Sequence, residues 1–587
     1  MYNSNFQPSP AAEHVLRTGN ILGPDEQPSD MIERVVETAF EAEASFGTDT
    51  GRVARLKEEF GALCDQGDVV MSTPVLTNAG RYEDKPLTAC TMPPVDLRGD
   101  LSNVKSMVDT LHQQGMGTGF NLGDTEDPVA MLSYLNRVAV LGSESGNEDR
   151  PVGNMAIIPV RHPKIRQFID AKKESAHDGS TWKFNISVDV DDAFMRSVAN
   201  GDPVQLADGT RVRADELFNQ ISEAAYLSAD PGLIFLGRMN DRNPTPGVGT
   251  YQTTAPCAEV GLAPGETCQF GYINLGNFTR TSETGIAIDY GRLAATAQMM
   301  TRVLDNCLEL SLQNYTTPKS EHIMRLKRKI GVGICGVADL LVRMGIPYSS
   351  KEAVDKVQDA IGWVNYQTKL ASISLAEERG ACGAMSLINT SADLPMNRHT
   401  AATPLVESLF GALDTEMVSG DQWTALGRAI KTKRQLRNVT TTALPPTGRS
   451  SLIIDASTGI EPHFSFTNRN GELNDNIKAY LGSQGISEER FFAVKSQAVE
   501  ATCHEAAALA ACENATAISA EGHLDMASGA QKTIDEAVSK TVNMPASTQP
   551  GDIAGIYYKA WEDGMSGITI YREGTHSLQP VKLEDKK

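Results

Sequence analysis

Short apolar runs alternate with stretches of helical period along most of this chain, and that alternation limits the fold more than any other feature. Residues 155–160, 184–188, 232–236 and 567–571 have the length and composition of strands. Residues 163–173, 191–200 and 214–229 carry helical stripes, and 290–314 and 351–380 extend the same period into long helices. The pattern predicts an α/β class. It also predicts a strand running into a turn over 69–80, strands at 87–92 and 436–444, and helices at 487–513 and 533–539. Residues 1–60 read as a helical N-terminal segment, 61–575 as one continuous body, and 576–587 as a short polar tail.

Hydrophobic residues make up 41% of the chain and charged residues 22%, as in a globular protein. A net charge of −21 argues against a general nucleic-acid binder while leaving room for a local nucleotide pocket. No run approaches the roughly 18 apolar residues of a membrane span, and the polar start carries no signal-peptide pattern. A cytoplasmic location is therefore expected. The nine cysteines include no C-x-x-C pair, so neither a metal site nor a thioredoxin-like motif is expected. In a reducing compartment any disulfide would be transient and catalytic.

The stretch Thr253-Thr254-Ala255-Pro256-Cys257-Ala258-Glu259-Val260 concentrates the chemistry. Pro256 fixes its own φ and pushes Ala255 toward extended geometry. In an extended segment Ala255, Cys257 and Glu259 share one face. A carboxylate beside a thiol raises its pKa, which suits a cysteine used as neutral S–H or as a radical, with the carboxylate handling protons. The alternative is a buried loop cysteine. A second motif, Gly331-Val332-Gly333-Ile334-Cys335-Gly336, matches G-x-G-x-x-G but follows Arg325-Leu326-Lys327-Arg328-Lys329 instead of an apolar strand. Its glycines read as close-packing positions opening a helix over 337–344, not as a dinucleotide site.

Several short motifs, in order, resemble the catalytic subunit of ribonucleotide reductase. They are Ser72-Thr73-Pro74 with Asn78-Ala79-Gly80, Cys90, Asn154-Met155-Ala156-Ile157, Phe184-Asn185-Ile186-Ser187-Val188, and Ala255-Pro256-Cys257-Ala258-Glu259. Cys268 in Thr267-Cys268-Gln269-Phe270-Gly271, Pro446-Thr447-Gly448 and Lys540-Thr541-Val542-Asn543 complete the set. The resemblance implies a ten-stranded α/β barrel of two five-stranded halves with a finger loop up its centre. It implies that Cys257 carries a thiyl radical, that Glu259 is the general base, and that Cys90 and Cys268 reduce the ribose 2′ carbon and become a disulfide. Substrate contacts are implied at Thr73, Ala89, Gly117, Ala255, Thr447, Gly448, Arg449 and Ser450. The turn at 446–451 is expected to hold phosphate through backbone N–H groups and hydroxyls. An effector contact is implied at Asp96.

The closing segment Gly567-Ile568-Thr569-Ile570-Tyr571-Arg572 resembles the adenosylcobalamin-dependent branch, so adenosylcobalamin is the expected cofactor. The two-subunit enzyme and a nucleotide-binding relative with altered catalysis are the alternatives. A ribonucleotide substrate, a thioredoxin-like or other thiol reductant, a nucleotide effector and a homodimer are the expected partners. Tyr557-Tyr558 reads as packing. Four departures stand out: Ala255 replaces the family's asparagine; Asp124-Thr125-Glu126-Asp127 stands where relatives carry basic residues; the first 60 residues lack an ATP-cone pattern; and no cysteine follows Cys512.

Overall fold

The structure, a computed structural model, describes residues 2–145, 152–173, 181–283, 285–387, 415–433, 435–467 and 471–575. The expected tail over 576–587 lies outside the described residues. The fold is mixed α/β. Its main sheet has eight strands in the order Thr267–Cys268, Cys90–Thr91, Gly117–Asn121, Asn154–Pro159, Phe184–Asp189, Gly232–Ile234, Gly567–Arg572 and Thr541–Met544. The five from Cys90–Thr91 to Gly232–Ile234 run parallel. At each end the next strand turns antiparallel.

A three-stranded sheet holds Val69–Met71, Phe270–Asn274 and Gly331–Cys335. Only Gln269 separates Thr267–Cys268 from Phe270–Asn274, so one segment edges both sheets. Isolated parallel bridges join Val332 to Thr442 and Leu444 to Val538.

Helices cover the strands because their stripes have nowhere else to go. Ala214–Ser228 buries Leu217, Phe218, Ile221, Ala224 and Ala225, one face at 3.6-residue spacing. Tyr290–Ser311 and Lys351–Arg379 pack on each other, and the former buries every residue from Met300 to Leu308. Burying that run requires its charges to be paired. Arg302 pairs with Glu43 at 2.7 Å, and Asp305 pairs with Arg328 at 2.8 Å and Arg379 at 2.9 Å. Glu43 thereby ties the first 60 residues to the centre, where Leu16, Met31, Val35 and Phe40 share the main core.

Several expectations are corrected. The helix over 487–513 is two, Glu488–Lys495 and Cys503–Ala510. Gln497 turns left-handed after the first, and a Thr502/Glu505 capping box starts the second. Residues 533–539 form no helix because their backbone is spent elsewhere: Ala537 N–H donates to Glu259 O and Ser539 N–H to Leu444 O. Residues 436–444 contribute bridges, not a ladder. After Val69–Met71 the chain turns into a helix, Thr73–Asn78. The stretch Gly331–Cys335 is itself a strand, and Gly336 caps the helix Val337–Met344. Its glycines do serve packing: a Cβ at Gly331 would lie 2.6 Å from the Phe270 ring, and one at Gly333 2.9 Å from Tyr272.

Candidate active site

Residues 253–262 form a narrow hairpin, Thr253–Thr254 pairing antiparallel with Gly261–Leu262. The stretch between is a turn and not the extended segment expected. Ala255 N–H donates to Val260 O at 2.9 Å, and Ala258 N–H donates back to Ala255 O at 2.9 Å. Ala258 adopts φ +66° to close it. Cys257 therefore sits at the tip and Glu259 on the returning arm. The hairpin crosses the main sheet where side chains vanish: a Cβ at Gly119 would strike Thr254 O, and one at Gly117 would lie 3.1 Å from Pro256. Asn121 donates to Gln252 O at 2.7 Å and Asn185 to Pro256 O at 2.9 Å, holding both the outgoing arm and the tip. Ala537 N–H holds Glu259 O at 2.9 Å.

Glu259 is buried in the hairpin, while Cys257 at the tip is exposed to the cavity yet set deep within the protein. Desolvation, then Glu259 and then Cys90, push the Cys257 thiol well above its ordinary pKa, so it is a protonated S–H at neutral pH. Burial raises the Glu259 carboxyl to about 7, against backbone amides of Glu259 and Cys257 that pull it down. Glu259 Oε2 is buried with no hydrogen-bond partner. A carboxyl poised near neutrality with a free oxygen can accept a proton from a bound hydroxyl.

Cys90 and Cys268 face each other directly across an antiparallel ladder. Opposed residues in such a ladder have Cα atoms about 4.5–5.5 Å apart, within the span a disulfide needs. Both are free thiols; Cys268 is buried and Cys90 half-buried. Ala89 N–H donates to Cys268 O at 3.2 Å, and Gly117 N–H donates to Ala89 O at 2.9 Å. A Cβ at Gly117 would lie 3.3 Å from Cys90 Sγ as well as against Pro256, so the thiol pair and the finger tip meet at that glycine.

The turn at 446–451 starts the helix Gly448–Ile453. Thr447 (φ +53°) and Gly448 (φ +41°) are both left-handed, a strained position for a β-branched residue. Thr447 Oγ1 accepts Gly459 N–H at 2.8 Å, which holds that geometry. Ser450 is buried and Arg449 half-buried. The helix contacts Val69–Met71, the strand that leads to Thr73, itself half-buried at a helix start.

Cys257 opens on a cavity of about 590 Å³ walled by Met155, Ile186, Phe464, Lys540, Asn543 and Met544 among others, with Pro446 at one side. Asn543 Nδ2 is buried without a partner. Lys540 is paired with Glu461.

A family model described as "Ribonucleotide reductase, barrel domain" matches residues 111–571. The chain belongs to the ribonucleotide reductase family. It is 30% identical to a vitamin B12-dependent ribonucleoside-diphosphate reductase of Mycobacterium tuberculosis (strain ATCC 25618 / H37Rv), covering 98% of this chain and 79% of that protein. A protein of the same description from Thermoplasma acidophilum is also 30% identical, covering 97% of this chain and 71% of the relative. In fold, the chain is similar to the Actinobacillus ureae class Id ribonucleotide reductase alpha subunit, with a TM-score of 0.74 at 17% identity over 98% of this chain and 99% of that one.

Other residues singled out in the sequence fall away from the finger. Asp96 is exposed in the loop after Cys90–Thr91, accepting Arg98 N–H at 3.0 Å. Asp127 caps the helix Pro128–Glu144 through Ala130 N–H and pairs with Lys164 at 2.9 Å, which gives one of the acidic residues at 124–127 a local structural use. Tyr557 is buried and donates to Pro231 O at 3.0 Å, while Tyr558 packs on Trp561. Sequence reasoning missed Asn121, Asn185, Asn543 and Ala537. Asn185 and Asn543 lie inside motifs that carried the resemblance; Ala537 acts through its backbone and leaves no side-chain signal.

Proposed function

We propose that this chain reduces ribonucleoside diphosphates to 2′-deoxyribonucleoside diphosphates, with adenosylcobalamin as its cofactor. The observation that carries the reading is Cys257 at the hairpin tip, opening on the cavity and neighbouring Cys90. Glu259 takes the proton of the substrate's 3′-hydroxyl, and Cys257 exchanges a hydrogen atom with the 3′ carbon. Cys90 and Cys268 give up two electrons and two protons as their S–S bond forms; the 2′ C–O bond breaks, a C–H bond replaces it, and the oxygen leaves as water. Thr447, Gly448, Arg449 and Ser450 bind the phosphates, with Thr73, Ala89 and Gly117 on the sugar's side; Ala255, expected there too, is fully buried in the hairpin and acts through its backbone.

The lining of the cavity suits part of such a cofactor: it is walled largely by apolar side chains and presents the orphaned Asn543 amide, and its volume of about 590 Å³ is that of a drug-sized group and smaller than the whole cobalamin. Asn543, Lys540, Phe464 and Met544 would hold the group, which supplies one-electron chemistry when bound. We read the strands as a ten-stranded barrel. The shared segment 267–274 and the bridges at 332/442 and 444/538 support that ring. Residues 61–575 are its catalytic body, with 1–60 packed against it. The reading carries with it a thioredoxin-like or other thiol reductant, a homodimer, a cytoplasmic location and an effector contact at Asp96.

The test is conversion of CDP with dithiothreitol, with and without adenosylcobalamin, in wild type and Cys257→Ser. dCDP is expected only from wild type with the cofactor. No product with cobalamin, restored by adding a radical-bearing second subunit, would favour the two-subunit class, and product from Cys257→Ser would overturn the role of the finger.

A further inference from the structure

The root of the finger is held by a buried charge cluster that the reaction above does not use. Lys327, Lys329, Glu266 and Glu536 are all buried, two cations against two anions. Lys329 Nζ lies 3.0 Å from Glu536 and 3.4 Å from Glu266, and Lys327 lies 2.7 Å from Glu266. The Tyr251 ring covers the Lys329 ammonium at 4.4 Å, and its hydroxyl donates to Glu536 at 3.4 Å. Four buried charges are costly to assemble, and a well-packed apolar set would fill the same space with less desolvation.

What the cluster does is grip backbone. Lys329 donates to Gly261 O at 2.6 Å, two residues beyond Glu259. Glu536 immediately precedes Ala537, whose N–H holds Glu259 O at 2.9 Å. Glu266 Oε2 accepts Ala263 N–H at 2.9 Å, further down the same arm. Three hydrogen bonds along residues 259–263 thus come from the cluster or from the residue next to it. A rigid lysine–glutamate pair gives a two-residue ladder a fixed height that its own two pairings cannot.

We propose that Lys329, paired with Glu536, is the positioning residue of the finger, fixing the returning arm so that Glu259 and Cys257 stand in reacting register. It touches neither substrate nor cofactor and acts through Gly261 and Ala537. The kinetic consequence rests on the proposed reductase activity; the structural one does not.

The experiment compares wild type with the near-isosteric Lys329→Met/Glu536→Gln double variant, which leaves the Lys327–Glu266 pair intact and no charge unbalanced. Hydrogen–deuterium exchange is read by peptide. Amides within 253–262 are expected to exchange at least tenfold faster, with the strands Asn154–Pro159 and Phe184–Asp189 unchanged. CDP turnover should fall at least tenfold in kcat with KM within twofold. Unchanged protection at 253–262, or a rise spread evenly over the whole protein, would overturn the proposal. So would a KM change with kcat preserved. If the double variant does not fold, Tyr251→Phe, which removes only the hydroxyl that accepts from Lys329 and donates to Glu536, is read by the same peptides and the same criteria.

Discussion

Glu259 gives a prediction in which stability and activity move in opposite directions. Its carboxyl is buried, has an orphaned oxygen, and sits at about 7 in the folded protein against an ordinary 4.5. Because the folded-state value is raised, folding favours the protonated form. That advantage is fully present below pH 4.5 and is lost as pH rises through 7. Above pH 7 the folded protein holds an ionised carboxylate at a cost of about 3 kcal/mol, since each tenfold change in proton affinity is worth about 1.4 kcal/mol.

Glu259→Gln removes the titration and keeps the shape. The variant is expected to be more stable than wild type by about 3 kcal/mol at pH 8 and by about 1 kcal/mol at pH 5. Urea denaturation at the two pH values measures this, and every other titrating group is common to both proteins and cancels. In the same preparations CDP reduction by wild type should rise with pH through about 7, and the variant should show none. A variant less stable than wild type at pH 8, or a difference that does not change between pH 5 and pH 8, would refute the reasoning: the carboxylate would then be solvated or paired.

Three further outcomes follow from the geometry. Gly119→Ala drives a methyl group into the Thr254 carbonyl, which cannot rotate away; thermal melts should show a loss of about 1–3 kcal/mol, and kcat should fall at least tenfold as the finger shifts. Lys369→Met strands Asp535, which is buried and accepts Thr441 N–H at 2.6 Å; urea denaturation should show a loss of about 3–5 kcal/mol. Wild type given CDP and cofactor without reductant should stop after about one turnover, with peptide mapping finding Cys90 joined to Cys268, since their strands already oppose them. A different pairing would remove that pair from the reaction.

Elements that answer to local pattern were legible in the chain. Phe184–Asp189, Asp192–Asn200, Ala214–Ser228 and Lys351–Arg379 stand within two residues of expectation at each end, because each stripe is satisfied by burial on one face. Segments bonded to distant partners were not. Residues 533–539 have helical composition, yet Asp535 and Ala537 are claimed by Thr441 and Glu259. Gly331–Cys335 looked like a helix start because its strand character comes from Phe270–Asn274 beside it. At the site, the thiol–carboxylate pairing was readable as chemistry, but through an extended geometry that the Ala255–Ala258 turn replaces. The meeting of Cys90 with Cys268, 178 positions apart, came only from resemblance, since no spacing rule closes that distance.

That turn also reframes Ala255. The residue is fully buried, and its N–H and C=O make both hydrogen bonds that close the hairpin tip. Its structural work is therefore backbone work, which any side chain small enough for the space can allow. What the alanine forgoes is a side-chain hydrogen bond, and the nearby groups with uncommitted buried oxygens are Thr253, Thr254 and Glu259. An unpaired buried carboxylate oxygen costs stability in the free protein, and a hydroxyl donating to it on binding would recover that cost. On the proposed reductase reading, recognition of the 3′-hydroxyl falls on such groups, Glu259 among them, so binding and proton transfer should weaken together when that carboxyl is changed.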